Sequence, residues 1–166
     1  MLTYNFVDSI NNESINRMIY NIKSIDKPID CLELNISSLG GSVASAITIY
    51  NFLKSAPFKV HTHNLGEVTS AAIIMYLSGS ERTAEKVSKF VIHPIKGRMD
   101  GDLSYYQLQE LVQLLNADIE NYAFIVNQET DNLNGLYDLK ECLRGKSITL
   151  HPESAYRFGI ITKMSE

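Results

Sequence analysis

The chain has few cysteines, no excess of basic charge and no long apolar run, and each of these features excludes a class of protein. Cys31 and Cys142 are its only cysteines, lie in apolar contexts and form no CxxC pair, so we expect reduced thiols rather than a disulfide or a metal site. The formal net charge is -4, with acids and bases interspersed. This pattern leaves no basic stripe for nucleic acid and no polybasic face for a membrane surface.

Membrane insertion and export signals are also missing. No apolar run approaches the roughly 20 residues that span a bilayer, and the amino end lacks a charged segment followed by an apolar one. We therefore expect a soluble, cytoplasmic protein. With 166 residues, 45% of them hydrophobic, the chain is long enough for one core, and no internal repeat is visible. A single α/β domain over residues 1–166 is predicted.

Strand-like and helix-like segments alternate along the first hundred residues. Helical apolar spacing lies between segments of strand composition, which are LTYNFV (2–7), CLELNIS (31–37), KVHTHNL (59–65) and KFVIHP (89–94). The run SAAIIMYLSG, which begins at Ser70, is predicted as a buried helix. Strands joined by helices of this length predict right-handed crossovers and a mostly parallel sheet.

The second half of the sequence begins with one long helical segment, at about 102–129. Its apolar residues outreach what so small a domain can cover, so the segment predicts an oligomer. A short helix near 136–143, a strand ITL (148–150), a helix through PESAYRF and a last strand, IITKM, complete the prediction.

Three strand-to-helix loops carry residues suited to nucleophilic catalysis. Gly40 and Gly41 follow the second strand, Ser70 the third, and His93 lies at the end of KFVIHP. Because the carboxyl ends of parallel strands converge at one edge, these residues can supply a nucleophile, a base and backbone donors for an oxyanion. Each also has a plainer interpretation: a helix cap at Ser70, an ordinary sheet-edge histidine, and a tight glycine turn.

The same segments resemble a known family. ISSLGGSVASAITIY is similar to the pattern NSPGGSV followed by a helix, LGEVTSAAIIMYLSG to GQAASMGAFLLAAG, and KFVIHPIKG to RVMIHQPLGG, all in the same order. The tail PESAYRFGIITKM resembles APEAVEYGLVDKI. These are motifs of the ClpP family of serine peptidases, which has the crotonase-like superfold of repeated β-β-α/β-α units. The resemblance covers about residues 2–164, and makes the long segment the protruding "handle" helix of that family.

The resemblance implies a role for each matching position. Ser70 would be the nucleophile and His93 the general base, and the N–H groups of Gly40 and Ala71 would form the oxyanion hole. An extended peptide substrate would lie between two segments, made of Gly41, Ser42 and Val43 and of Ile95, Lys96 and Gly97. The family needs no cofactor and assembles into heptameric or stacked rings, so a homo-oligomeric ring is expected here.

Several positions depart from the family pattern. The acid of the triad corresponds to Ser147, where loss of an aspartate costs orders of magnitude in rate, and Asp138 and Glu141 are the upstream acids. Leu39 replaces a proline and Ala72 a glycine. The sequence also begins almost at the first strand, so the segment that docks a AAA+ unfoldase is not expected.

Two other segments contain side chains that can bind metal ions. His61 and His63 share a strand face, but with no third ligand nearby in the sequence no metal is predicted. DNLNGLYD (131–138) lacks the acidic spacing of a calcium loop and predicts a turn.

The sequence therefore predicts a serine endopeptidase that acts through an acyl-enzyme. Two alternatives stay open: a catalytically impaired structural or regulatory subunit, and an acyl-CoA enzyme of the same superfold.

Overall fold

A computed structural model describes residues 1–130 and 137–165. Strands and helices alternate through the first half and helices dominate the second. The elements are β1 (Leu2–Val7), α1 (Asn12–Lys23), β2 (Cys31–Ser38), α2 (Val43–Lys54), β3 (Lys59–Thr69), α3 (Ala72–Tyr76), β4 (Glu81–Ala84), β5 (Lys89–Ile92), α4 (Tyr105–Glu129), α5 (Leu139–Arg144), β6 (Ile148–Leu150) and α6 (Pro152–Phe158).

One mostly parallel sheet organises these elements. Its order is β1-β2-β3-β5-β6, and among the strand pairs of the described residues only β5–β6 is antiparallel. One edge of strand β3 pairs with β2, and its other edge pairs with two strands, with β4 through residues 61–64 and with β5 through residues 67–69. The predicted α/β fold with a mostly parallel sheet and a long helix is confirmed.

The strands divide their side chains between two faces, as the pleat requires. Along β2 the buried residues Leu32, Leu34 and Ile36 alternate with half-buried ones that begin with Cys31 and Glu33. The buried face packs into the core with α1, α2 and α3, and all five residues of α3 are buried. Burial on every side explains why the α3 segment is apolar throughout.

Arg82 in β4 ties the end of the chain to the sheet. Its buried guanidinium donates to four main-chain carbonyl oxygens at 2.7–3.0 Å, those of Gly79, Glu129, Gly159 and Ile160. The carbonyl oxygen of Arg82 in turn accepts from the N–H of Thr162 at 2.9 Å. One side chain therefore fixes the end of α4 and the end of α6 to β4.

The structure corrects three sequence predictions. Helix α3 begins at Ala72 rather than at Ser70, because β3 runs on to Thr69. Strand β4 was missed, since ERTA is short and charged. The predicted last strand IITKM is wrong: this tail buries Ile160, and its main-chain N–H groups donate to Ala155 and Arg82 without forming a ladder. The predicted turn DNLNGLYD lies outside the described residues except for its last two positions.

The long helix α4 is covered over only part of its length. Its buried residues all lie in the second half, from Ile119 to Val126. The first half exposes large apolar side chains, with Val112 at 56% and Leu114 at 62%. Within the described residues, no helix combines the length and the apolar character that crossing a membrane requires.

Candidate active site

Ser70 lies in a strained turn between β3 and α3. Its φ is 57°, and it is the only non-glycine residue with positive φ in ranges 1–130 and 137–165. The turn is held from both sides, because the N–H of Ser70 donates to Val91 at 2.8 Å and the carbonyl oxygen accepts from the Tyr122 hydroxyl at 2.9 Å. Ser70 is not the helix cap, since Ala71 occupies that position and caps without a side chain. Strain that surrounding contacts maintain is typical of functional positions.

The glycine loop after β2 packs directly against this turn. Gly40 has φ 92°, and a Cβ built on it would lie 2.8 Å from the Cβ of Ser70 and 2.6 Å from the carbonyl oxygen of Thr69. Only glycine therefore permits the contact. The N–H of Gly40 donates to Ser38 Oγ at 3.1 Å, whereas the N–H of Ala71 has no acceptor in the part of the chain that the structure describes.

His93 follows β5 and is half-buried. Its Nδ1 lies 2.9 Å from the carbonyl oxygen of Pro94. Because a carbonyl oxygen can only accept, Nδ1 carries a proton here, and in the neutral ring Nε2 is then the nitrogen that can accept one. A main-chain carbonyl thus fixes the tautomer that a general base requires.

Ser147 lies beside His93 without bonding to it. The antiparallel register pairs Ile92 with Ile148, and its continuation by one residue sets Ser147 opposite His93. Ser147 is exposed, and no hydrogen bond joins it to the imidazole in the described ranges. The two upstream acids are not substitutes, because Asp138 caps α5 through the N–H of Glu141 at 3.0 Å and both side chains are exposed.

One open cleft of about 360 Å³ brings the two predicted catalytic side chains together. Ser70 and His93 both line it, although no hydrogen bond yet joins Ser70 Oγ to the imidazole within the described residues. Such bonds are commonly long when substrate is absent. The cleft also contains residues of both predicted substrate segments, namely Gly41, Ser42, Val43, Ile95 and Lys96, whereas Gly40, Ala71 and Gly97 lie outside its lining.

Asp118 of α4 is a cleft residue that sequence reasoning missed. It is half-buried in the wall of the same cleft, and burial raises the pKa of its carboxyl group. The sequence did hold a signal, since Asp118 lies three residues after Leu115 and four before Tyr122, on a helix face that is otherwise apolar. Burial of the carboxyl group on this face disfavours its charged form.

The structure also overturns the statement that His61 has no third ligand nearby. Cys31, Glu33 and His61 place one sulfur, one oxygen and one nitrogen within 4.8 Å of one another. His63 does not join them, because its ring bonds to Thr83 at 2.8 Å and to Glu85 at 3.3 Å. Sequence spacing could not show this cluster, since its members come from two strands.

Comparison with known proteins gives one consistent result. The family model described as Clp protease matches residues 1–166. An ATP-dependent Clp protease proteolytic subunit from Pleurastrum terricola is 28% identical over 130 residues, 75% of this chain and 66% of that protein. The proteolytic subunit 1 of Rhodopirellula baltica is 28% identical over 100 residues, 59% of this chain.

The solved structures agree in fold. A mutant of ClpP1 from Listeria monocytogenes superposes with a TM-score of 0.76 over 99% of this chain and 91% of that chain, at 21% identity. The chain spans 66% and 43% of the lengths of the two curated relatives. Because the family model covers every residue, the chain belongs to the Clp protease family.

Proposed function

We propose that the protein is a serine peptidase that cleaves peptides through an acyl-enzyme on Ser70. The observation that carries this proposal is the shared cleft, where the strained serine turn and an imidazole with a free Nε2 line one cavity. In a member of the Clp protease family these are the two side chains that acyl transfer requires.

The proposed reaction uses both side chains. Ser70 Oγ attacks the peptide carbonyl while His93 Nε2 takes its proton, and the same proton then passes to the leaving amine. A water molecule then attacks the acyl-enzyme in the same way, with His93 as the base, and releases the acyl group from Ser70. The Nδ1–H stays on the Pro94 carbonyl, which orients the ring. A neutral carbonyl stabilises the imidazolium less than an aspartate does, so we expect slow turnover.

The oxyanion donors are unequal in the substrate-free protein. The Ala71 N–H directly follows the nucleophile and is not engaged by the described residues. The Gly40 N–H is engaged by Ser38 Oγ, so its use as a second donor requires substrate to displace that bond. The proposal therefore assigns Ala71 as the preformed donor.

The peptide is expected to bind as an added strand. Gly41 and Ser42 from one segment and Ile95 and Lys96 from the other line the cleft, and main-chain groups there can bond to a peptide. Val43 lines the cleft as the first residue of helix α2, and Gly97 lies outside the lining. Among the described residues that line this cleft, Asp118 is the only one with a carboxyl group, and Lys96 adds an ammonium group.

Proteins of the Clp protease family form oligomeric rings, and we propose a homo-oligomeric ring for this chain in the cytoplasm. The exposed apolar first half of α4 is the surface that assembly would cover. Leu114→Glu is expected to shift the sedimentation coefficient toward the monomer, whereas Gln113→Glu, an exposed neighbour, serves as the control. An unchanged assembly in Leu114→Glu would remove α4 from the interface.

Hydrolysis of a mixture of fluorogenic peptides tests the activity. Cleavage that is present in the wild type, absent in Ser70→Ala and His93→Ala, and retained in Ser80→Ala supports the peptidase. Ser80 is an exposed serine outside the cleft.

A catalytically impaired subunit is the second candidate. Ser147 at the expected acid position and the engaged Gly40 N–H favour it. Peptides that bind without being cleaved, by the assembled wild-type protein, would support this role instead.

A further inference from the structure

We propose that Cys31, Glu33 and His61 bind one zinc ion per chain. The cluster lies where β2 and β3 begin, whereas the catalytic cleft lies where these strands end. The proposal is therefore independent of the peptidase assignment.

Strand register brings the three ligands together. Glu33 is paired directly with His61 in the parallel β2–β3 ladder, so their side chains leave the same face of the sheet. Cys31 lies two residues before Glu33 and shares that face. The backbone of two central strands thus fixes the relative positions of three donor atoms.

The spacing of the donor atoms suits a tetrahedral ion. His61 Nδ1 lies 2.9 Å from Glu33 Oε1 and 3.6 Å from Cys31 Sγ, and the sulfur lies 3.9 Å from the same oxygen. A tetrahedral zinc with ordinary bond lengths separates its nitrogen and sulfur ligands by about 3.5 Å and its nitrogen and oxygen ligands by about 3.3 Å. Small side-chain rotations bring all three atoms to these separations.

The donor set selects the metal. A thiolate and an imidazole suit zinc, whereas magnesium and calcium prefer oxygen ligands. The side chains of His61 and Glu33 are 28% and 30% exposed, so solvent reaches the cluster and can supply a fourth ligand. A thiolate and a carboxylate together carry two negative charges, which balance the two positive charges of a zinc ion.

A bound ion would join β2 to β3 at their amino ends. Because these strands pair more extensively than any others described, the link would stabilise the centre of the sheet. Metal that binds only the folded state raises the melting temperature with concentration. The readout of the site is therefore stability and binding, not catalysis.

Calorimetric titration of the untagged full chain with zinc chloride tests the proposal. We expect one site per chain, with affinity lowered at least about tenfold in each of Cys31→Ser, Glu33→Gln and His61→Asn. Cobalt binding should add a thiolate-to-metal absorption band that disappears in Cys31→Ser. His63→Asn and Cys142→Ser are the matched controls and should bind as the wild type does.

Melting curves without metal show that each variant is folded before its affinity is compared. Absence of saturable binding in the wild type would overturn the proposal. So would wild-type affinity in any one of the three ligand variants, or a loss of binding in His63→Asn.

Discussion

Gly40→Ala tests the contact between the glycine loop and the serine turn. The new methyl group would meet the Thr69 carbonyl oxygen at 2.6 Å and the Cβ of Ser70 at 2.8 Å, and the residue would remain at φ 92°. Left-handed backbone costs an L-residue about 1–2 kcal/mol. Overpacking adds about 1–3 kcal/mol, so the free energy of unfolding should fall by about 2–5 kcal/mol.

Gly101→Ala provides a matched control for that calculation. Gly101 has φ 86°, nearly the same conformation, but a Cβ there meets nothing within 4 Å. It should therefore lose at most the backbone part of the free energy, about 1–2 kcal/mol. In urea denaturation the difference between the two variants reports the steric overlap alone. Equal losses, or an unaltered rate of Ser70 acylation in Gly40→Ala, would refute the argument that this glycine positions the nucleophile.

Three further predictions concern Arg82, Asp118 and Tyr122. Arg82→Met should lower the free energy of unfolding by about 3–5 kcal/mol, because it removes the donor of four main-chain carbonyl oxygens, whereas the Glu129 carboxylate keeps Lys54 and the Tyr50 hydroxyl as partners. Arg157→Met, at an exposed position, should leave the stability unchanged, and thermal denaturation of both variants tests this. Burial raises the pKa of the Asp118 carboxyl group, so the folded state favours the protonated form. The stability that this protonated group contributes is fully present below the unfolded pKa of about 3.9 and is lost as pH rises through the folded pKa. Asp118→Asn should therefore melt above the wild type at pH 7 and converge with it in acid; a constant difference would contradict this. Tyr122→Phe removes the bond to the Ser70 carbonyl and should lower kcat with little change in KM, at a stability loss of about 1 kcal/mol; unchanged kcat would exclude a positioning role.

Much of the fold could be predicted because its signals are local. Strand composition identified β1, β2, β3 and β5, and helical spacing identified the long helix, which ends at Glu129 in the structure. The errors came where tertiary contacts override local pattern. Strand β4 is short and charged, and its Arg82 binds the tail so that Ile160 is buried without a ladder.

The sequence allowed the positions of two candidate side chains to be predicted, but not the contacts around them. The positions of the strand ends predicted that Ser70 and His93 lie at one edge of the sheet. In the structure both side chains line one cleft. Their roles stay predictions. The bond from His93 to the Pro94 carbonyl and the approach of Asp118 could not be predicted, because each depends on where a loop or a distant helix packs. The three-ligand cluster at His61 depends on strand register in the same way.

Reaction of the assembled wild-type protein with a fluorophosphonate, followed by peptide mapping of the adduct, tests whether Ser70 is the nucleophile. We expect one adduct per chain, on Ser70 Oγ, and a rate of formation that falls sharply in His93→Ala and is unchanged in Ser80→Ala. An adduct on another residue, or no adduct in the assembled protein, would contradict it.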